Sequence, residues 1–161
     1  MRVFILMIMV CYCEASVNVT SEKPLEVGNF VLERSENFEQ FVHKVFEPTS
    51  TKSVKFLTTN RSTVNVKLSG NTYTEIYTVG NQVISNSFQL GIEFEEDTFF
   101  GPITTVAHKD YTPPFTEFTW SSKLPNNKRF TRKFYMLANG FTVVMTSPNI
   151  NVTAILHYKR I

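Results

Sequence analysis

The sequence predicts an all-β chain: ten short antiparallel strands in an up-and-down meander that closes on itself, with a short helix lid after the first strand. Three observations carry that expectation. From Ser62 onward the chain is a succession of short β-rich segments, and the breaks between them hold turn chemistry: Ser69-Gly70-Asn71, Val79-Gly80-Asn81, Asn126-Asn127, Asn139-Gly140 and Pro148-Asn149. Before that run, Phe38, Phe41, Val42 and Val45 fall at i, i+3, i+4 and i+7, which puts them on one side of a helix of about two turns. Finally, so many short strands do not lie comfortably as a flat sheet, and closure removes most exposed edges.

The elements follow in order. Met1–Ala15 begins with Arg2, continues with the apolar run Val3 to Val10, and reaches Cys13-Glu14-Ala15 before Ser16, a small-residue pattern suited to signal-peptidase cleavage. The run is too short to span a bilayer, so a removable secretory leader is expected for residues 1–15, then an N-terminal extension over 16–27 and one domain over 28–161. A strand beginning at Gly28 runs directly into the helix. Ser35 or Asn37 can accept from the first-turn N–H groups, with Glu36 and Glu39 favourable for the helix dipole. Pro48-Thr-Ser-Thr-Lys-Ser53 breaks the pattern, and Ser53–Thr59 is ambiguous between helix and strand. The remaining strands are expected at Ser62–Leu68, Thr72–Thr78, Gln82–Gln89, Ile92–Glu96, Ile103–Lys109, Phe115–Trp120, Lys128–Leu137, Phe141–Thr146 and Asn151–Lys159.

Composition excludes several function classes. The net charge of +2, with acidic and basic residues interspersed, leaves no basic field to hold a nucleic-acid backbone. His43, His108 and His157 are isolated, and both cysteines, Cys11 and Cys13, lie in the leader, so no metal-ligand cluster or disulfide is expected. There is no phosphate-binding Gly-rich loop and no nucleophile elbow, so neither an enzyme nor a cofactor is expected. Asn18, Asn60 and Asn151 each open an N-glycosylation triplet, meaningful only on the secretory route.

Two segments carry a family resemblance. Gly28-x-Phe30 followed by Ser35-Glu-Asn-Phe-Glu-Gln-Phe41 resembles the opening of the fatty-acid-binding protein family, the intracellular lipid-binding proteins. Ser87-Phe-Gln-Leu-Gly-Ile-Glu-Phe-Glu-Glu-Asp97 resembles the family's central Ser-Phe-x-Leu-Gly-x-Glu-Phe-x-Glu segment, in register with the first. The resemblance spans Gly28 to Ile161, more loosely over 46–61 and 121–139. It implies a ten-stranded β-clam with a helix-turn-helix lid, and a monomer carrying a fatty acid, retinoid or other small lipid without catalysis. Export is unusual in this mostly cytosolic family, and the leader makes the chain similar to secreted nematode forms. A true lipocalin, with eight strands and a late helix, is the alternative carrier; a solid barrel acting as a structural or interaction protein is another reading.

The resemblance also directs attention to the last strand, where Val152, Ala154, Leu156 and Tyr158 share one side and are placed inward. The family's carboxylate anchor there is an Arg-x-Tyr; here it reads Leu156-His157-Tyr158, so the Tyr is kept and the Arg is not. For the second inward Arg, Arg132 shares a face with Phe130 and Phe134 and implies a long hairpin at 121–127, while Arg129 fits the spacing from Trp120 without a gap. Losing one Arg leaves room for a neutral ligand beside the fatty-acid reading. Access is expected beneath the lid, near Val79–Asn81 and Thr98–Gly101. There Phe99 and Phe100 read either as a portal gate or as packing against the lid, and Phe38, Phe41, Val42 and Val45 as lid packing or ligand contact. Lys52, Lys55 and Arg61 could make transient contact with a membrane surface, or form a solvated face.

Overall fold

The computed structural model describes residues 24–46, 54–57, 61–112 and 115–161. Strand β1 (Gly28–Glu36) leads into α1 (Phe38–Phe46), and residues 54–57 form one turn of a second helix, α2. There follow β2 (Ser62–Ser69), β3 (Thr72–Val79), β4 (Gln82–Gln89), β5 (Glu93–Glu96) and β6 (Ile103–Thr112). The chain ends with β7 (Phe115–Lys123), β8 (Arg129–Leu137), β9 (Gly140–Thr146) and β10 (Ala154–Arg160). All ten belong to one antiparallel sheet in the order β4-β3-β2-β1-β10-β9-β8-β7-β6-β5. Pairing β1 with β10 joins the two halves of the meander, so the sheet is a barrel closed everywhere except between β4 and β5.

That seam is held by side chains instead of a ladder. Asn86 on β4 donates through Nδ2 to the carbonyl of Asp97 at 3.0 Å and accepts from the Asp97 N–H at 2.9 Å, replacing two missing backbone bonds. Phe88 and Phe94 stack across the same gap at 5.0 Å, and the edge of Trp120 closes on both rings. The opposite end is sealed from the segment ahead of β1. Glu26 is buried and accepts from Tyr73 Oη at 3.0 Å and Lys109 Nζ at 2.5 Å, tying β3 to β6, while Arg160 donates to the carbonyls of Leu25 and Val27.

Strand alternation sets the interior. Phe130, Phe134 and Met136 on β8, Phe141, Val143 and Met145 on β9, and Ala154 and Leu156 on β10 are buried in one cluster, with Phe30 and Phe41 fully enclosed. Several bounds differ from the sequence reading. β1 continues through Ser35 and Glu36, because they pair with Leu156 and Ile155; they do not belong to the helix start. Asn37 makes the junction with φ of 55°: its carbonyl accepts from the Phe41 N–H at 3.0 Å, while its side-chain amide donates to the Thr153 carbonyl. Ile92 is 56% exposed and precedes β5, and β10 starts at Ala154. The β7–β8 ladder runs out to the Lys123/Arg129 pair, so the hairpin loop is only 124–128, closed by Leu124 N–H to the Lys128 carbonyl at 2.9 Å. Ten strands and a helix directly after the first contradict the lipocalin alternative.

Candidate functional site

The barrel is hollow. A cavity of about 150 Å³ lies under α1. Its walls are mainly apolar: Phe130, Phe134, Val143, Met145 and Leu156 from β8 to β10 face Leu32, Val79 and Ile84 across the interior. The lid contributes Phe38, Val42 and Phe46 from α1 and Leu57 from α2, and the β5–β6 turn contributes Phe99 and Phe100.

The lid position follows from its amphipathic face. Phe41, Val42 and Val45 are buried, whereas Glu39, Gln40 and Lys44 are exposed. Phe46 lies against Phe100 at 4.7 Å and edge-on to Phe130 at 5.4 Å, so an α1 ring, a turn ring and a wall ring meet at one side of the cavity. Lys128 of the β7–β8 loop donates to the carbonyl of Lys44 at 3.2 Å, placing a cation at the helix C-terminus, where the dipole favours one.

A polar group sits within this apolar wall. Arg132 stands directly across from Trp120 in the β7–β8 register, and its guanidinium lies 4.8 Å from that ring. Its side chain is 12% exposed and Glu96 is 4% exposed, and the two form a bidentate pair: Nη1 donates to Oε1 at 2.7 Å and Nη2 to Oε2. Nη2 also donates to Ser122 Oγ at 2.8 Å, Thr105 Oγ1 donates to Glu96 Oε2 at 2.7 Å, and the Ser122 and Thr105 hydroxyls meet at 2.9 Å. Burial works to lower the Arg132 pKa, but the charge and hydrogen bonds of Glu96, with Tyr77 and Glu75 adding to them, together hold the guanidinium above its ordinary value.

On the other side, Tyr158 and Ser62 meet through their hydroxyls at 3.2 Å. Burial pushes the Tyr158 phenol up to about 12, slightly relieved by Ser62, so it remains a neutral donor. Glu75 and Tyr77 on β3 complete the interior polar set. Burial, and next the charge of Glu96, push the Glu75 carboxyl up to about 8, against lowering contributions from Arg132 and Tyr77. Tyr77 is raised well above its ordinary value, first by burial and then by Glu75.

The sequence-derived candidates are therefore distributed as follows. Arg132, Tyr158 and Leu156 share the cavity wall; Arg129 is exposed on the outer face. Phe38, Val42, Phe99 and Phe100 line the cavity, while Phe41 and Val45 pack behind the lid in the core. Lys55 is exposed, and Arg61 donates through Nε to the Leu32 carbonyl at 3.3 Å. Asn151 is exposed in the bend before β10; Asn18, Asn60 and Lys52 lie outside the described residues. Sequence reasoning gave no role to Glu75, Tyr77, Ser62 or Glu96. A signal was present on β3, where Tyr73, Glu75, Tyr77 and Val79 alternate in one phase, placing an acid in a row of large side chains. Among the described residues no cluster of His, Cys, Asp and Glu is arranged to hold a metal, and no helix is long and apolar enough to cross a membrane.

Known proteins place this architecture. No protein-family model matches the chain. A fatty acid-binding protein of Lepidoglyphus destructor is 33% identical over 140 residues, covering 83% of this chain and 95% of that protein. Among solved structures, a Schistosoma mansoni fatty acid binding protein in complex with arachidonic acid superposes with a TM-score of 0.76 at 23% identity, over 86% of this chain and 97% of that one. A fatty-acid-binding protein from Drosophila melanogaster brain gives 0.70 at 27% identity, over 83% and 98%. With a ten-stranded barrel, a lid after its first strand and this level of identity over nearly the whole relative, the chain belongs to the fatty-acid-binding protein family.

Proposed function

We propose that the protein is a carrier that takes up one long-chain lipid in the cavity beneath α1, without catalysing a reaction. The observation that carries this reading is a hollow with an apolar wall, aromatic side chains at its lid and polar groups confined to a few interior positions. Burying a ~16-carbon tail at about 0.8 kcal/mol per CH₂ is worth roughly 12 kcal/mol gross, before association and ordering costs. A charge-assisted bond to a head group adds roughly 1.5–3 kcal/mol. Tail burial thus supplies most of the affinity, and the polar groups choose the head. The relatives named for fatty acids, one of them holding arachidonic acid, support a fatty acid or related lipid, and a retinoid belongs to the same chemical range.

The carrier is proposed to act as a monomer outside the cell. The apolar run behind Arg2 supports export, and the exposure of Asn151 suits a glycan. Lys55 and its neighbours are proposed for transient membrane contact during delivery. Titrating delipidated protein with a fluorescent fatty acid and displacing it with unlabelled lipids tests the carrier reading: saturable 1:1 binding is expected, and a signal that neither saturates nor is displaced contradicts it. Mass spectrometry of protein from a eukaryotic secretory host tests export, with a start at Ser16 and added glycan mass expected.

A further inference from the structure

The hollow does not run the whole length of the barrel. Val79 and Met145, which line the main cavity, stand near the lid ends of β3 and β9. Tyr73 and Phe88 stand near the far ends of β3 and β4, where they line a separate void of about 20 Å³, large enough for one water-sized group. Tyr77 and Phe134 line both spaces, so their rings stand at the partition between them.

Below the partition the rings are packed in series. Phe134 lies 5.4 Å from Trp120, Trp120 meets Phe88 edge-on at 4.8 Å, and Phe88 stacks on Tyr73 at 5.5 Å. All four are buried. The series ends on a charge: Tyr73 Oη donates to Glu26 Oε1 at 3.0 Å, and Lys109 Nζ donates to the same oxygen. Burial, and next the charge of Glu26, hold the Tyr73 phenol far above its ordinary value, so its proton stays in that bond. Glu26 is itself buried, on the turn ahead of β1 that the Val27 N–H closes onto the Pro24 carbonyl, and Arg160 fastens that turn through the carbonyls of Leu25 and Val27. An apolar side chain would close this end without burying a charge. What a carboxylate adds is direction, because its hydrogen bond fixes the Tyr73 ring where packing alone would let it shift.

Resting on the carrier reading above, we propose that Glu26 sets the chain-length limit of the carrier: through Tyr73 it locks the rings that floor the chamber, and a lipid that reaches Tyr77 and Phe134 gains no further depth. Glu26 acts through other side chains and is a positioning residue. The test uses the delipidated mature protein at pH 7, with a fluorescent fatty acid displaced by saturated fatty acids of about 10 to 22 carbons, each two added CH₂ groups tightening binding by up to about fifteenfold until the floor is reached. Beyond that length the gain is expected to stop. Glu26→Ala should move the break to chains longer by about two carbons, since it removes both the lock and the side chain beside the void. Tyr73→Phe keeps the ring and loses only the hydroxyl, so it should move the break in the same direction, and it decides the matter if Glu26→Ala does not fold. A gain that continues without a break through the longest acid overturns the proposal. So does a break that stays in place in the folded variant, including one that weakens every chain length equally, as a merely structural role would. Displacement at no chain length would instead contradict the carrier reading itself.

Discussion

Glu75 and Glu96 share one interior yet stand in opposite electrostatic situations. Glu96 receives two bonds from Arg132 and one from Thr105, so its charge is met from both sides. Removing it with Glu96→Ala leaves a buried guanidinium uncompensated and should cost about 3–5 kcal/mol, read from urea unfolding. Glu75 has no such cation of its own, and burial pushes its carboxyl up to about 8, above the ordinary 4.5. The folded state thus keeps a proton that the unfolded chain has released. Its stabilising effect is complete below pH 4.5 and is lost by about 1.4 kcal/mol per pH unit as pH rises towards 8, then levels off. Glu75→Gln cannot titrate, so its stability relative to the unmutated protein should climb between pH 5 and pH 8. Urea midpoints across that range would contradict this account if the difference stayed constant.

At the scale of elements, the lid and the strand ladder make separate predictions. Phe46 on α1 touches both Phe100 of the β5–β6 turn and Phe130 of the wall, so these rings govern how easily α1 lifts. Phe46→Ala should speed ligand dissociation more than it changes association, and a cycle with Phe100→Ala should show coupling of about 0.5–1.5 kcal/mol. Gly140 opens β9 with φ of 154°, and a Cβ there would lie 2.0 Å from the Tyr158 carbonyl oxygen. Gly140→Ala must push β9 and β10 apart, so a loss of more than about 2 kcal/mol is expected in thermal or urea unfolding. Strand existence and the lid helix were legible because each depends on local alternation or the 3.6-residue period. The ends of elements were not. Glu36 looks like a helix-start acid until its pairing with Ile155 is known, and that partner comes from the far end of the chain. For the same reason Arg132 could be assigned to a face with Phe130 and Phe134, but its engagement with Glu96 depends on bringing β5 near β8.

The whole molecule is a nearly closed sheet around a space that its own side chains do not fill. Among the described residues the open β4–β5 seam is bridged by the Asn86 clasp and aromatic stacking, while Glu26, Lys109 and Arg160 secure the far end. A lipid bound in the folded state alone should raise stability by about 2.7 kcal/mol at a free concentration of 100 Kd, visible as a concentration-dependent Tm. The family fold could be anticipated from two sequence segments, but the size and charge of the hollow depend on how ten strands bring their inward residues together. The most direct test of the central claim is a crystal structure of the delipidated protein after addition of one equivalent of a long-chain lipid. The expected result is continuous hydrocarbon density beneath α1, running between Phe130, Phe134, Met145 and Leu156; lipid found only on the outer surface, with the interior collapsed, would contradict it.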